Sequence, residues 1–172
     1  DEVFIYFSTQ ELSDASVVEA LEALPLPKRA YLPAATPAVA ARLAASGMHV
    51  ETAPVPVDLI ARRSRLLVNA GQNGTLSMGL YAGLPQVAWP QHREQRFNAL
   101  CAKAAGVARL VAPGTGPAGP ALMDAVMAAY ADDTMAARAR HLATDLRRTL
   151  TAPPAQQVQQ ALAPLQWLGA KP

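Results

Sequence analysis

Cysteine, aromatic side chains and an excess of charge of either sign are all scarce in this chain, and each scarcity removes a class of function. Fifteen Lys and Arg stand against thirteen Asp and Glu, a formal net charge of +2. The basic residues are scattered, and three Phe, two Trp and four Tyr are too few to interleave with them. No nucleic-acid surface is therefore expected. The single cysteine, Cys101, forbids an internal disulfide and fits a reducing compartment, so a cytoplasmic setting is expected. Cys101 falls in an apolar helical pattern with no neighbour to form its thiolate, which predicts core filling rather than nucleophilic chemistry. Half of the residues are hydrophobic, 51%, yet no run approaches the roughly 18 apolar residues of a membrane span. Repeats, heptads and clusters with metal-ligand spacing are likewise missing.

What is present is a chain of 172 residues, the size of one domain with a substantial core. It opens at Asp1 directly on a strand pattern with no initiating Met, as expected of a domain within a longer protein. Strand patterns at 3–7, 29–32, 48–52, 66–68, 86–89 and 108–112 alternate with helical patterns at 15–24, 37–46, 58–63, 75–82, 94–105, 120–131 and 134–150. A terminal helix at 155–165 and a tail carrying Trp167 and Leu168 follow. Ser13 or Asp14 is expected to cap the first helix, and Thr36 with Pro37 to open the second. Alternation of this kind predicts an α/β fold: a doubly wound, Rossmann-like parallel sheet of about six strands with helices on both faces. Ligands then bind at the carboxyl ends of the strands, where the turns after the first, third, fourth and fifth strands are expected to converge. Arg62, Arg63 and Arg65, and later Arg138, Arg140, Arg147 and Arg148, read as solvated.

The most informative stretch runs from Ser64 to Ala99. An apolar run, Leu66-Leu67-Val68, leads into the small-residue turn Asn69-Ala70-Gly71-Gln72-Asn73-Gly74, and Thr75 begins a helical pattern. Gly83-Leu84-Pro85 stops it, and Gln86-Val87-Ala88-Trp89 forms the next strand before Pro90. Such a turn aims a helix N-terminus and its unpaired N–H groups at one spot, which favours an anion. The spacing matches neither GxGxxG nor GxxxxGK[ST], and an ordinary strand-to-helix turn would look the same.

These residues resemble the C-terminal half of the GT-B glycosyltransferases, chiefly family 1. That family carries a His-Gly-Gly-x-Gly-Thr type of turn, then a helix ending Ala-Gly-(Val/Leu)-Pro, a strand closed by Pro, an acidic-Gln pair and Asn-Ala. The counterparts here are Ala70 to Thr75, Ala82-Gly83-Leu84-Pro85, Trp89-Pro90, Glu94-Gln95 and Asn98-Ala99, with the intervals kept. The resemblance implies a single donor-binding domain over 1–172 that binds a nucleoside-diphosphate sugar without a separate cofactor. It also implies metal-independent, inverting transfer, completed by an N-terminal acceptor-binding domain of the same protein that carries the base. No catalytic residue is then expected in this chain, which alone should bind a donor and transfer nothing.

Residue by residue, the resemblance implies that Gly71, Gln72, Asn73, Gly74 and Thr75 receive the diphosphate. Ser8 or Thr9, after the first strand, faces the donor, although either hydroxyl also suits a simple cap. Val55, in the stiff Ala53-Pro54-Val55-Pro56 loop, offers backbone groups to the base; no aromatic stands in that loop to stack on it. Glu94 and Gln95 hold sugar hydroxyls, or Glu94 merely caps its helix. His92 is a loop histidine, exposed or touching the diphosphate. Two departures stand out: Ala70 occupies the place of the family's His, and Met78 that of a Glu that takes the ribose hydroxyls. Each lost hydrogen bond to a charged group costs about 1.5–3 kcal/mol. Related transferases that build lipid-linked peptidoglycan precursor also lack that His. The alternative is a degenerate, non-catalytic glycosyltransferase-like domain used for binding or as a scaffold.

Overall fold

The computed structural model describes residues 1–111 and 116–150. The end of the sixth strand pattern at Ala112, the helix expected at 155–165 and the tail with Trp167 and Leu168 lie outside the described residues. Six parallel strands form the sheet: β1 (Glu2–Tyr6), β2 (Lys28–Tyr31), β3 (His49–Glu51), β4 (Ser64–Asn69), β5 (Gln86–Ala88) and β6 (Ala108–Leu110). Their order is β3-β2-β1-β4-β5-β6, so the winding reverses between β1 and β4. This is the doubly wound arrangement expected from the alternation of strand and helix patterns.

The helices are α1 (Ala15–Ala23), α2 (Pro37–Ala45), α3 (Val57–Arg63), α4 (Asn73–Ala82), α5 (Arg93–Ala104), α6 (Ala118–Tyr130) and α7 (Asp133–Leu150), with a 3-10 turn at Glu11–Ser13. Because side chains alternate along a strand, β1 feeds two cores. Val3 and Ile5 join Val17, Leu21, Leu43, Leu122 and Val126 on one face, beneath α1, α2 and α6. Phe4 joins Ile60, Leu67, Ala82 and Leu84 on the other, beneath α3 and α4. A third cluster, with Leu76, Ala102, Val107 and Ala139, packs α4, α5 and α7 together. Burying each large aliphatic side chain contributes about 1.5–3 kcal/mol, which is why the sheet is covered on both faces.

Local chemistry fixes the ends of the elements. Asp14 caps α1, accepting from the Ser16 N–H at 2.9 Å and the Ser16 hydroxyl at 2.6 Å. At the other end of α1, the ammonium of Lys28 donates to the carbonyls of Leu21, Glu22 and Leu24. Gly83 ends α4 at φ +74°, with the Leu84 N–H returning to the Gly79 carbonyl at 3.0 Å.

Two expectations need correcting. Cys101 is exposed, because α5 turns Gln95, Ala99 and Ala102 inward at helical spacing and leaves Cys101 on the other side. Arg65 is not a free solvated cation: its Nε donates to the Tyr130 carbonyl at 2.7 Å and its guanidinium lies 5.4 Å from the Tyr130 ring centre. It thereby ties β4 to the junction of α6 and α7. Arg147 is exposed but similarly docks on Tyr81, donating to its carbonyl at 2.6 Å and 2.9 Å. No helix among the described residues is long and apolar enough to cross a membrane.

Candidate functional site

A cleft of about 540 Å³ opens at the carboxyl edge of the sheet, and Ser8, Val55, Gln72, Gly74 and Thr75 all line it. It lies where the winding reverses, between the turn after β1 and the turn after β4. The loops that meet there follow β1, β2, β3 and β4, bringing in Ser8, Pro33, Pro54 with Val55, and Gln72 with Gly74. Convergence of the turn after β5 was expected; this cleft instead takes its fourth loop from β2.

The β4–α4 turn is held by a chain of buried amides. Asn69, fully buried, accepts from the Gly71 N–H at 2.7 Å and donates to Gln86 Oε1 at 2.9 Å. Gln86, equally buried, donates on to the Leu76 carbonyl at 3.1 Å. Gly71 sits at φ +90°, and a Cβ there would stand 2.7 Å from the Gln95 carbonyl oxygen. Only glycine fits such a place. Ala70 is wholly buried and belongs to the core.

The consequence concerns which amides remain for a ligand. Gly71 has given its N–H to Asn69 and does not line the cleft. Helix α4 starts at Asn73, and its first internal bond runs from the Leu76 N–H to the Gln72 carbonyl at 2.9 Å. The N–H groups of Asn73, Gly74 and Thr75 precede that bond and have no acceptor inside the helix. No side chain caps this end. A Cβ at Gly74 would meet nothing within 4 Å, so the backbone there stands open to an incoming group.

Behind this helix start lies a group that sequence reasoning missed. Glu11 is fully buried; its carboxylate accepts the Thr9 N–H and the Thr9 hydroxyl, both at 2.8 Å. Gln72 Nε2 lies 3.5 Å from Glu11 and 3.2 Å from Ser8 Oγ. An exchanged amide would turn its carbonyl toward the carboxylate, so the neighbours fix the orientation. Gln72 Oε1 is buried without a partner among the described residues. Thr9 is therefore spent on Glu11 and, unlike Ser8, stays out of the cleft.

Also unforeseen is the aromatic wall. Tyr6 and Tyr31 end adjacent parallel strands and are register partners. Their rings stack with centres 5.8 Å apart and planes 26° apart, lining the cleft beside Val55 and Met78. The clue was present in the sequence, a tyrosine at the carboxyl end of each of two strand patterns, but it depends on knowing that the strands pair.

The remaining expected residues lie outside the cleft. Asn73 is exposed on α4 and lines a smaller depression beside Cys101. Glu94 is exposed in the first turn of α5. Gln95 is 2% exposed, and its Oε1 accepts the Gln91 N–H at 2.7 Å. Its side-chain carbonyl therefore braces the loop after β5. Asn98 works inward as well, donating to the Gly71 carbonyl at 3.4 Å. His92 precedes α5 and is exposed.

The fold and cleft define a Rossmann-like domain with an uncapped helix start beside a largely apolar slot. No protein-family model matches the chain, and neither does any curated protein. Solved structures do: spinosyn rhamnosyltransferase SpnG, with TM-score 0.68 and 23% identity over 85% of this chain and 41% of that one. LpCGTa in complex with UDP aligns with TM-score 0.72 and 15% identity, over 94% and 41%. The glycotransferase of kitacinnamycin aligns with TM-score 0.64 and 23% identity, over 86% and 39%. SpnG complexed with thymidine diphosphate matches as well, at TM-score 0.61 and 21% identity, over 88% and 45%. The chain thus has a fold found in GT-B glycosyltransferases, and it spans about two fifths of the length of these structures.

Proposed function

We propose that the chain is the donor-binding half of a GT-B glycosyltransferase and holds a nucleoside-diphosphate sugar. The observation that carries this reading is the cleft at the winding reversal, with the open first turn of α4 at one end and Val55 and the tyrosines at the other. The diphosphate sits against the N–H groups of Asn73, Gly74 and Thr75, where helix dipole and unpaired donors act together. As the glycosidic bond to the donor breaks, negative charge gathers on the leaving diphosphate, and these fixed donors stabilise it without reorganising. Ser8 and Gln72 flank the same end, and backbone groups of Val55 meet the base. Glu94, exposed at the start of α5, accepts hydroxyls of the transferred sugar in this reading. The reaction is metal-independent and inverting, as the sequence resemblance implies, with no separate cofactor. An N-terminal acceptor-binding domain of the same protein supplies the acceptor and its base.

A second reading, a non-catalytic relative kept for binding or as a scaffold, draws support from Ala70 and Met78. One is buried in the core and the other presents a thioether to the cleft. Calorimetry with UDP, dTDP and GDP in the presence of EDTA separates the two. Micromolar binding of one of them is the expected result. Repeated with magnesium in place of EDTA, silence from all three under both conditions discards the donor role, and binding seen only with magnesium discards metal independence.

A further inference from the structure

The cleft walls carry chemistry beyond the open helix start. Taking the donor role as given, the diphosphate at Gly74 and Thr75 places the next group one helical turn along α4. The side chain there is Met78, which lines the cleft. Beyond it stand the stacked rings of Tyr6 and Tyr31, half-buried, with Val55 beside them. Ser8 and Gln72 bond each other at the phosphate end, and Thr75 belongs to that end too. Among the described residues no carboxylate lines the cleft.

A ribose placed along Met78 would give up water at its 2′-hydroxyl for a thioether, a weak acceptor. A deoxyribose has no such hydroxyl to desolvate. At the base, the stacked tyrosine pair and a valine reward added apolar surface, and a pyrimidine 5-methyl supplies it. We propose that this site selects 2′-deoxythymidine diphosphate sugars over uridine diphosphate sugars, with the Tyr6–Tyr31 pair bearing the thymine and Met78 lying along the deoxyribose.

Calorimetry of the 172-residue chain with dTDP, dUDP, 5-methyl-UDP and UDP tests this, because the set varies the sugar and the methyl group separately. The expected order has dTDP tightest and UDP weakest, about tenfold apart, with the other two between. Met78→Glu, which offers the ribose diol an acceptor, is expected to erase or reverse the sugar preference while leaving the methyl preference in place. Tyr31→Leu, checked for folding by circular dichroism, is expected to weaken dTDP and to flatten the methyl preference. UDP binding as tightly as dTDP, or either variant keeping the full selectivity of the parent, overturns the inference and leaves the donor role standing. Silence toward all four nucleotides overturns both.

Discussion

Two glycines three residues apart in one turn do opposite work. Gly71 is confined by a left-handed φ and by the Gln95 carbonyl, whereas Gly74 is a helical residue facing open space. Gly71→Ala combines a backbone penalty with a collision against main chain, so a loss of roughly 2 kcal/mol or more is expected in urea unfolding. Gly74→Ala removes a glycine's backbone freedom in the first turn of α4 and should stabilise by at most about 0.5–1 kcal/mol, the helix-interior value. It nevertheless sets a methyl group where a phosphate would approach, so nucleotide binding should weaken as stability rises. A Gly74→Ala protein that binds nucleotide like the parent would move the phosphate away from this turn. Glu11 offers a companion test. Glu11→Ala strands the Thr9 donors and is expected to cost about 1–3 kcal/mol, measured by the same unfolding. Glu11→Gln keeps an acceptor for Thr9 and should recover much of that loss.

At the scale of elements, α1 is secured at both ends by side chains that reach further than the helix. Asp14 accepts from Ser16 and also from the Ala118 N–H at 3.4 Å, while Ser16 Oγ accepts from the Gly119 N–H at 2.9 Å. The cap of α1 is thus also the clasp that docks α6. The Ser16 hydroxyl bond, with further help from backbone N–H groups, holds the Asp14 carboxyl below its usual value. A carboxyl with a depressed folded-state pKa contributes stability above its unfolded value of 3.8, and that contribution fades as pH falls through the folded value. Asp14→Ala should therefore cost about 0.5–2 kcal/mol at pH 7. The gap between variant and parent should narrow in acid, read from denaturant midpoints across the pH range.

The β4–α4–β5 unit was legible in the sequence because its signals are local: glycine and proline punctuate it, and the apolar runs give the strands. The Tyr6–Tyr31 wall was not, since it exists only once β1 and β2 lie in register. The burial of Gln95 was hidden for a related reason, since it follows from the tertiary approach of α5 to the glycine turn. Arg65 followed the same rule, with its partners Tyr130 and Asp133 far along the chain.

For the whole molecule, every loop that lines the cleft belongs to this chain, and both faces of the sheet are covered by its own helices. On the proposed donor role, this chain alone is expected to bind a nucleotide, and transfer is expected to need the acceptor-binding domain that the sequence resemblance implies. The two properties should separate experimentally. A nucleotide at a hundred times its Kd adds about 2.7 kcal/mol to the folded state, which for a chain of this length raises the melting temperature by roughly 5–10 °C. Differential scanning calorimetry should show that rise with the preferred nucleoside diphosphate, and a smaller one with the corresponding nucleoside, which lacks the charge that α4 attracts. The same preparation, incubated with labelled nucleotide sugar and a panel of hydroxylated acceptors, should form no glycoside. Glycoside formation by the chain alone would place a base within these residues, and the exposed His92 and Glu94 near the start of α5 would be the first groups to substitute.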